Sequence, residues 1–346
     1  MSRTARRATL VVAGALSLLA TLGAPANAAR ATVLDAKGFG VSAYGGWAAW
    51  THEEPPGVGF ALYVRSPAGA VAAAPVPLNG GSFEVKLGPR AGGVSAVYQR
   101  CSEPARSLGC TIYELPLGIP TASERALAIP DGGSDTQPAI WGDRVAFVRA
   151  NAGNAKHPDT VYVWRIGGGA PRAIRLQASL GGREAHGGRW PKGLTGEVTA
   201  LTIGPSQVAY VTSVLDGSFG ETTLWYEPLG SRPQLIDQET GGAGGVCPPS
   251  FLSPMLAGGW LYAYLHACAP SDNPELDRLT RYRRGGAERA RFTFAHHGDD
   301  AIGSVVIDGA GADWDDEGLS TLAPLSWKRI ALPVAQTFCT RADPFC

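Results

Sequence analysis

The feature that most constrains this chain is a pattern that comes round six times. Short runs of aromatic and aliphatic residues each follow a glycine-containing turn: Trp47-Ala-Ala-Trp50, Val94-Ser-Ala-Val-Tyr98, Val145-Ala-Phe-Val148, Val208-Ala-Tyr-Val211, Leu261-Tyr-Ala-Tyr264 and a degenerate Ala312-Asp-Trp314. Their starts lie 47, 51, 63, 53 and 51 residues apart. A second series keeps the same period, 13 to 17 residues behind the first: Ala61-Leu-Tyr-Val64, Thr111-Ile-Tyr113, Thr160 to Trp164, Thr223-Leu-Trp-Tyr226, Asp277 to Tyr282 and Leu325 to Ile330. Runs of this length, rich in Val, Ile, Tyr, Trp and Thr and bounded by Gly and Pro, are strands. Further strand-like runs stand before the first series, such as Val198 to Ile203, and after the second, such as Arg172 to Leu176.

Four strands and roughly 50 residues per unit are the dimensions of a propeller blade, in which radial stacking leaves only short, protected edges. The expected fold is therefore all-β: a six-bladed β-propeller of four-stranded antiparallel blades over residues 29–335. The ring is expected to close when the N-terminal strand, Ala31-Thr-Val-Leu34, joins the last blade. A pair of β-sandwiches would be equally turn-rich but predicts no shared register across six units. The 46 Gly and 26 Pro are spent on turns, since they carry no G-X-Y period.

The repeat resembles the TolB-type or WD40-like propeller repeats of exported bacterial proteins: a Gly turn, a V-A-[FY]-V-like strand, a variable loop, a [LV]-[YW]-[VY] strand and a Gly-Gly turn. Gly142-Asp143-Arg144-Val-Ala-Phe-Val148 is the best match, while the Asp-Gly turn and Ser-Asp-Arg sequence common in that family are mostly missing. The resemblance implies the fold and a binding habit; its repeat carries no catalytic residue.

Residues 1–28 read as a secretory signal peptide. Arg3, Arg6 and Arg7 precede an apolar run from Leu10 to Leu22, and Ala26-Asn27-Ala28 supplies the small residues of a cleavage site. The run falls short of the ~20 residues of a membrane span. Arg6-Arg7 leaves the twin-arginine route open beside the general one, although Ala8-Thr9 departs from the hydrophobic pair that route prefers.

Export makes the six cysteines a disulfide framework. Nearest-neighbour spacing favours Cys101 with Cys110, Cys247 with Cys268 and Cys339 with Cys346, the last pinning a C-terminal tail at 336–346. With no C-x-x-C, zinc is the poorer reading. Thirty basic against thirty acidic residues give zero net charge and argue against a nucleic-acid partner.

Chain direction puts the long connections between second and third strands on one rim and tight turns such as Gly45-Gly46, Gly142-Asp143 and Gly258-Gly259 on the other. The long ones are His52–Gly59, Gln99–Cys110, Arg149–Asp159, Thr212–Glu221, His266–Glu275 and Asp315–Ala323. Function grafted on a rigid scaffold sits in variable loops. The candidate binding residues are accordingly His52, Glu53 and Glu54, then His186, Arg189 and Trp190 in the longest connection (178–197), and His296 and Asp300 at the sixth unit. Asp299, Asp313, Asp315 and Glu317 are candidate metal ligands. Asp313-x-Asp315-x-Glu317-Gly318 resembles the first half of a calcium loop, but the twelfth position is Pro324 rather than Glu. His with carboxylate also suits zinc or manganese; otherwise no cofactor is expected.

No G-x-S-x-G, H-E-x-x-H, Walker loop or helix-opening G-x-G-x-x-G is present. The expectation is a secreted, monomeric, non-catalytic scaffold that binds a protein or cell-envelope ligand through its long-loop rim. The alternative is an extracellular carbohydrate-active hydrolase or lyase whose centre lies near His296, Asp299, Asp315 and Glu317.

Overall fold

The computed structural model describes residues 32–151, 154–178, 193–216, 219–242, 250–266, 278–283, 289–293, 304–308, 311–315, 319–322, 328–330 and 336–337. Among them there is no α-helix, only a three-residue 3-10 turn at Pro104–Arg106. Among the described residues no helix is long and apolar enough to cross a membrane.

The strands form antiparallel meanders in chain order around a ring. Strand β1 (Thr32–Asp35) is followed by blade one, β2 (Gly38–Tyr44), β3 (Trp47–Glu53), β4 (Phe60–Arg65) and β5 (Val71–Ala73). Blade two is β6 (Lys86–Arg90), β7 (Gly93–Glu103), β8 (Leu108–Pro116) and β9 (Arg125–Ala126), and blade three is β10 (Asp135–Trp141), β11 (Arg144–Ala150), β12 (Asp159–Arg165) and β13 (Arg172–Ile174). Blade four comprises β14 (Glu197–Ile203), β15 (Gln207–Asp216), β16 (Phe219–Pro228) and β17 (Gln234–Gly242). Blade five comprises β18 (Ser250–Ala257), β19 (Trp260–His266), β20 (Arg278–Arg283) and β21 (Arg289–Thr293). The remaining strands are β22 (Ser304–Asp308), β23 (Gly311–Asp315), β24 (Leu319–Leu322), β25 (Lys328–Ile330) and β26 (Gln336–Thr337).

Six equivalent four-stranded blades, the architecture expected from the repeat, are not what forms. Five blades are complete, each cut from one continuous stretch of chain, and blades four and five each carry a fifth strand. The rest of the ring is a composite sheet, β22-β23-β24, whose outer edge is β1, paired antiparallel with β24. Leu325–Ile330, the expected third strand of a sixth unit, does not take that position. β24 does so instead, and β25 lies antiparallel on the outer edge of β21. β26 runs parallel on the edge of β17. The outermost strand of a blade presents unpaired N–H and C=O groups that accept another strand, and the C-terminal chain covers two such edges.

The first strand of each sheet packs against the first strands on both sides, β2 meeting β6 and β22. Second strands are thereby sandwiched between neighbouring blades. Ala49-Trp50, Ala146-Phe147, Ala209-Tyr210 and Ala263-Tyr264 are wholly buried, as is Val97-Tyr98 with Ala96 before it. Burial on both faces is why these strands read as continuous apolar runs rather than as alternation.

Turn chemistry separates the rims. Tyr44 pairs with Trp47 across Gly45-Gly46, whose φ angles of +59° and +81° suit the tight two-residue hairpin that glycine permits. On the opposite rim, two of the expected long loops are instead extended hairpins. β7 and β8 pair out to Glu103 and Leu108, with Cys101 directly opposite Cys110 and disulfide-bonded to it, and β15 and β16 pair as far as Asp216 and Phe219. Strand-forming residues such as Val211-Thr212-Ser213-Val214 opposite Glu221-Thr222-Thr223-Leu224 carry the ladder onward.

Phe147 has no exposed surface and fills the contact between blades two and three. We expect Phe147→Ala to lower unfolding stability by about 3–5 kcal/mol, read as a shift in the urea midpoint; a loss well below that range would show that the blades do not press on this ring.

Candidate functional site

The long-loop rim is built on one repeated register. In every continuous blade the central aromatic of the second strand faces a large residue of the third: Trp50 with Tyr63, Tyr98 with Tyr113, Phe147 with Tyr162, Tyr210 with Trp225 and Tyr264 with Leu279. Two residues on, toward this rim and on the same face, stand His52, Arg100, Arg149, Thr212 and His266. In blade three the Arg149 guanidinium lies 5.4 Å from the Phe147 ring centre and 5.1 Å from that of Tyr162. It also grips Asp135 bidentately, Nε to Oδ1 at 2.7 Å and Nη2 to Oδ2 at 2.9 Å. In blade two Arg100 lies over Phe83, Tyr98 and Tyr113 and meets Glu124 at 3.1 Å, and the Tyr98 hydroxyl donates to the same carboxylate. Burial and Glu124 together push the Tyr98 phenol up. Thr212 accepts from Trp225 Nε1 at 3.0 Å.

His52, singled out by sequence, performs this job in blade one. Its Nδ1 lies 2.8 Å from Asp35 Oδ2, the Trp50 indole donates to the same oxygen at 2.6 Å, and the Lys37 amide donates to Oδ1 at 3.0 Å. Asp35 ends β1, so these bonds tie the ring-closing strand to blade one. Burial raises the Asp35 carboxyl, but the bonds from Trp50, Lys37 and His52 outweigh it and hold the group below the ordinary carboxylate value. Glu53 is exposed beside it, and the Glu54 amide donates to the Gly59 carbonyl at 3.1 Å.

A groove of about 640 Å³ crosses this rim. Pro158 of blade three, Leu194 and Glu197 at the start of blade four, Val214 and Leu215 of the β15–β16 hairpin, and His266 of blade five line it. Leu215 is 68% exposed, a large apolar side chain left in solvent at the groove.

Among the remaining candidates, Asp313 and Asp315 lie on β23, in register with Val306 and Ser304 of β22. His186, Arg189, Trp190, His296, Asp299, Asp300, Glu317, Cys247, Cys268, Cys339 and Cys346 lie outside the described residues. Sequence reasoning missed Asp35, Arg100, Glu124, Asp135 and Arg149. The signal available was an aromatic followed two residues later by His or Arg in blades one to three.

The chain matches no protein-family model, and no curated protein matches it in sequence. Similar solved structures include the β-propeller domain of the Trilobed protease from Pyrococcus furiosus, at 8% identity and a TM-score of 0.43, covering 86% of this chain and 96% of that one. A prolyl endopeptidase is 12% identical with a TM-score of 0.41, covering 89% of this chain, which spans only 44% of the endopeptidase. A family 117 glycoside hydrolase of the marine bacterium Zobellia galactanivorans is 14% identical with a TM-score of 0.39, over 72% of this chain and 88% of that one. None of these likenesses bears on what the groove holds.

Two acids, the half-buried Asp35 and the buried Glu227, respond to pH in opposite senses. The low folded-state pKa of Asp35 contributes stability that is full above the ordinary value of 3.8 and is lost as pH falls through the folded value. We expect Asp35→Asn to cost roughly 1–3 kcal/mol at pH 6, and the gap from the wild type to close below pH 3.8; a gap constant to the acid limit would refute the assignment. Glu227, 4% exposed on β16, is pushed up to about 7 by burial, with Arg172 pulling back. Between the ordinary 4.5 and about 7 the folded chain holds a proton that the unfolded chain has lost, so stability falls as pH rises. The decline should total about 3 kcal/mol, and urea midpoints should show it flattened in Glu227→Gln; an equal slope in both proteins would count against it.

Proposed function

We propose that this protein is an exported propeller, of the TolB-type or WD40-like pattern, that binds a protein or cell-envelope ligand through the rim carrying its longer connections. The groove across blades three to five carries this reading. It joins the exposed apolar side chain of Leu215, beside the buried Val214, to polar groups of Glu197 and His266, and is framed by a projecting hairpin. Apolar contact area ringed by polar groups on a rigid base is the composition of a recognition surface. Export is supported by the N-terminal pattern of Arg3, Arg6, Arg7, the run Leu10 to Leu22 and Ala26-Asn27-Ala28. The Cys101–Cys110 disulfide fits an oxidising compartment.

The test is site-specific photo-crosslinking in the producing cell. A photoreactive residue at Leu215 should yield a discrete crosslinked species, while one at Ala68, an exposed position beyond β4 on the opposite rim, should yield none. Equal labelling from both positions, or none from either, would remove the rim from consideration.

A further inference from the structure

The first strands of the ring enclose an axial cavity in two parts. Toward the tight-turn rim it opens to about 610 Å³, with Gly45, Gly46 and Gly258 at its mouth. Toward the long-loop rim lies a narrower chamber of about 190 Å³, lined among others by Gly40, Glu84, Gln137, Thr199 and Ser253. Val41 and Lys86 line both parts and so mark the join.

The backbone of the narrow chamber is unusual in a repeated way. Glu84, Gln137 and Ser253 have φ of +46°, +49° and +47°, and Gly40 has +65°. Three of the four sit where the pairing of a first strand slips, between Phe39 and Ser42, Thr136 and Ala139, and Leu252 and Met255. A left-handed conformation is costly for a non-glycine residue, and such outliers cluster at ligand sites. Gln137 and Ser253 at their bulges, and Glu84 just ahead of β6, stand along the lumen. A belt of amides ties Glu84 to Gln137 and on to blade four: Gln99 donates to Glu84, Gln99 Oε1 accepts from the Gln137 backbone amide at 2.7 Å, and Gln137 Nε2 donates to the Val198 carbonyl at 2.9 Å.

The wide part has the opposite character. Leu87, Ile140, Ile203, Met255 and Val306 wall it, and Tyr44 meets Trp141 edge-on at 5.6 Å between ring centres. Lys86 is the only charged residue in the lining given by the described residues, and it stands at the inner end. Behind it, Glu84 interacts with the same ammonium. The volume falls in the range of small-molecule sites, which are mostly apolar with a few placed polar groups.

We propose that the axial cavity binds an apolar molecule bearing a single carboxylate, its hydrocarbon or ring system against the wall and its acid on Lys86. The cavity opens on the rim opposite the groove, so the site is independent of the rim reading. A bound carboxylate competes with Glu84 for Lys86, which makes Glu84 a brake on affinity.

Calorimetric titration of the full chain with 2-naphthoate and octanoate tests this, with 2-naphthol as the uncharged counterpart. The wild type should bind the acids and prefer 2-naphthoate to 2-naphthol by about tenfold or more. Lys86→Met should erase that preference, Glu84→Gln should tighten 2-naphthoate severalfold, and Thr202→Trp, which fills the wide part from its wall, should abolish binding of all three. Thermal melts establish that each variant is folded. Failure of both acids to bind the wild type at millimolar concentration, or unchanged 2-naphthoate binding in Lys86→Met, would overturn the proposal. If Lys86→Met does not fold, wild-type affinity in both Glu84→Gln and Thr202→Trp would overturn it equally.

Discussion

Packing of the central aromatic pairs between neighbouring blades is the interaction on which the other features rest. Trp50, Tyr98, Phe147, Tyr210 and Tyr264 are buried completely, and the small residue beside each, usually alanine, leaves room for the adjoining blade. Full burial of such a ring contributes about 1.5–3 kcal/mol, and five recur at equivalent positions. Because each ring touches the next sheet, the stability of a blade depends on its neighbours. Closure through β1 therefore matters beyond the few residues of that strand.

The charges near the rim follow from the same register. A cation two residues past a buried aromatic lands on the same face, where its planar group stacks on two rings and reaches a carboxylate. Arg149 with Asp135 and Arg100 with Glu124 are such units, and His52 with Asp35 uses imidazole in place of guanidinium. The zero net charge of the chain thus has local counterparts, in which acids and bases neutralise one another at the ends of the strands.

The two axial chambers differ because their walls come from different parts of the first strands. Where pairing is regular, residues such as Leu87 and Ile203 wall a wide apolar space. Where bulges turn Gln137 and Ser253 to positive φ, polar side chains line the lumen. Strain and polarity therefore sit together at one end of the axis.

The aromatic runs, their period and the glycine turns were legible in the sequence because strand alternation, burial on both faces and φ > 0 each leave a mark within a few residues. Cys101 and Cys110 were legible as partners for the same reason of nearness. The extension of β7–β8 and β15–β16 into hairpins was not, since strand length there depends on pairing with the opposite strand rather than on composition alone. His52 was legible as a rim residue, but its partner Asp35 was not, because that contact spans the closure of the ring. The sequence by itself determined an all-β chain of repeating strands with tight turns on one side. Only the tertiary structure decided that five blades are continuous and the remaining sheet composite, that β25 and β26 cover other blades' edges, and that Lys86 lines the same axial cavity as Ile203, Met255 and Val306. Those outcomes depend on which backbone edges and side chains come together across long sequence distances, and a local pattern carries no record of that.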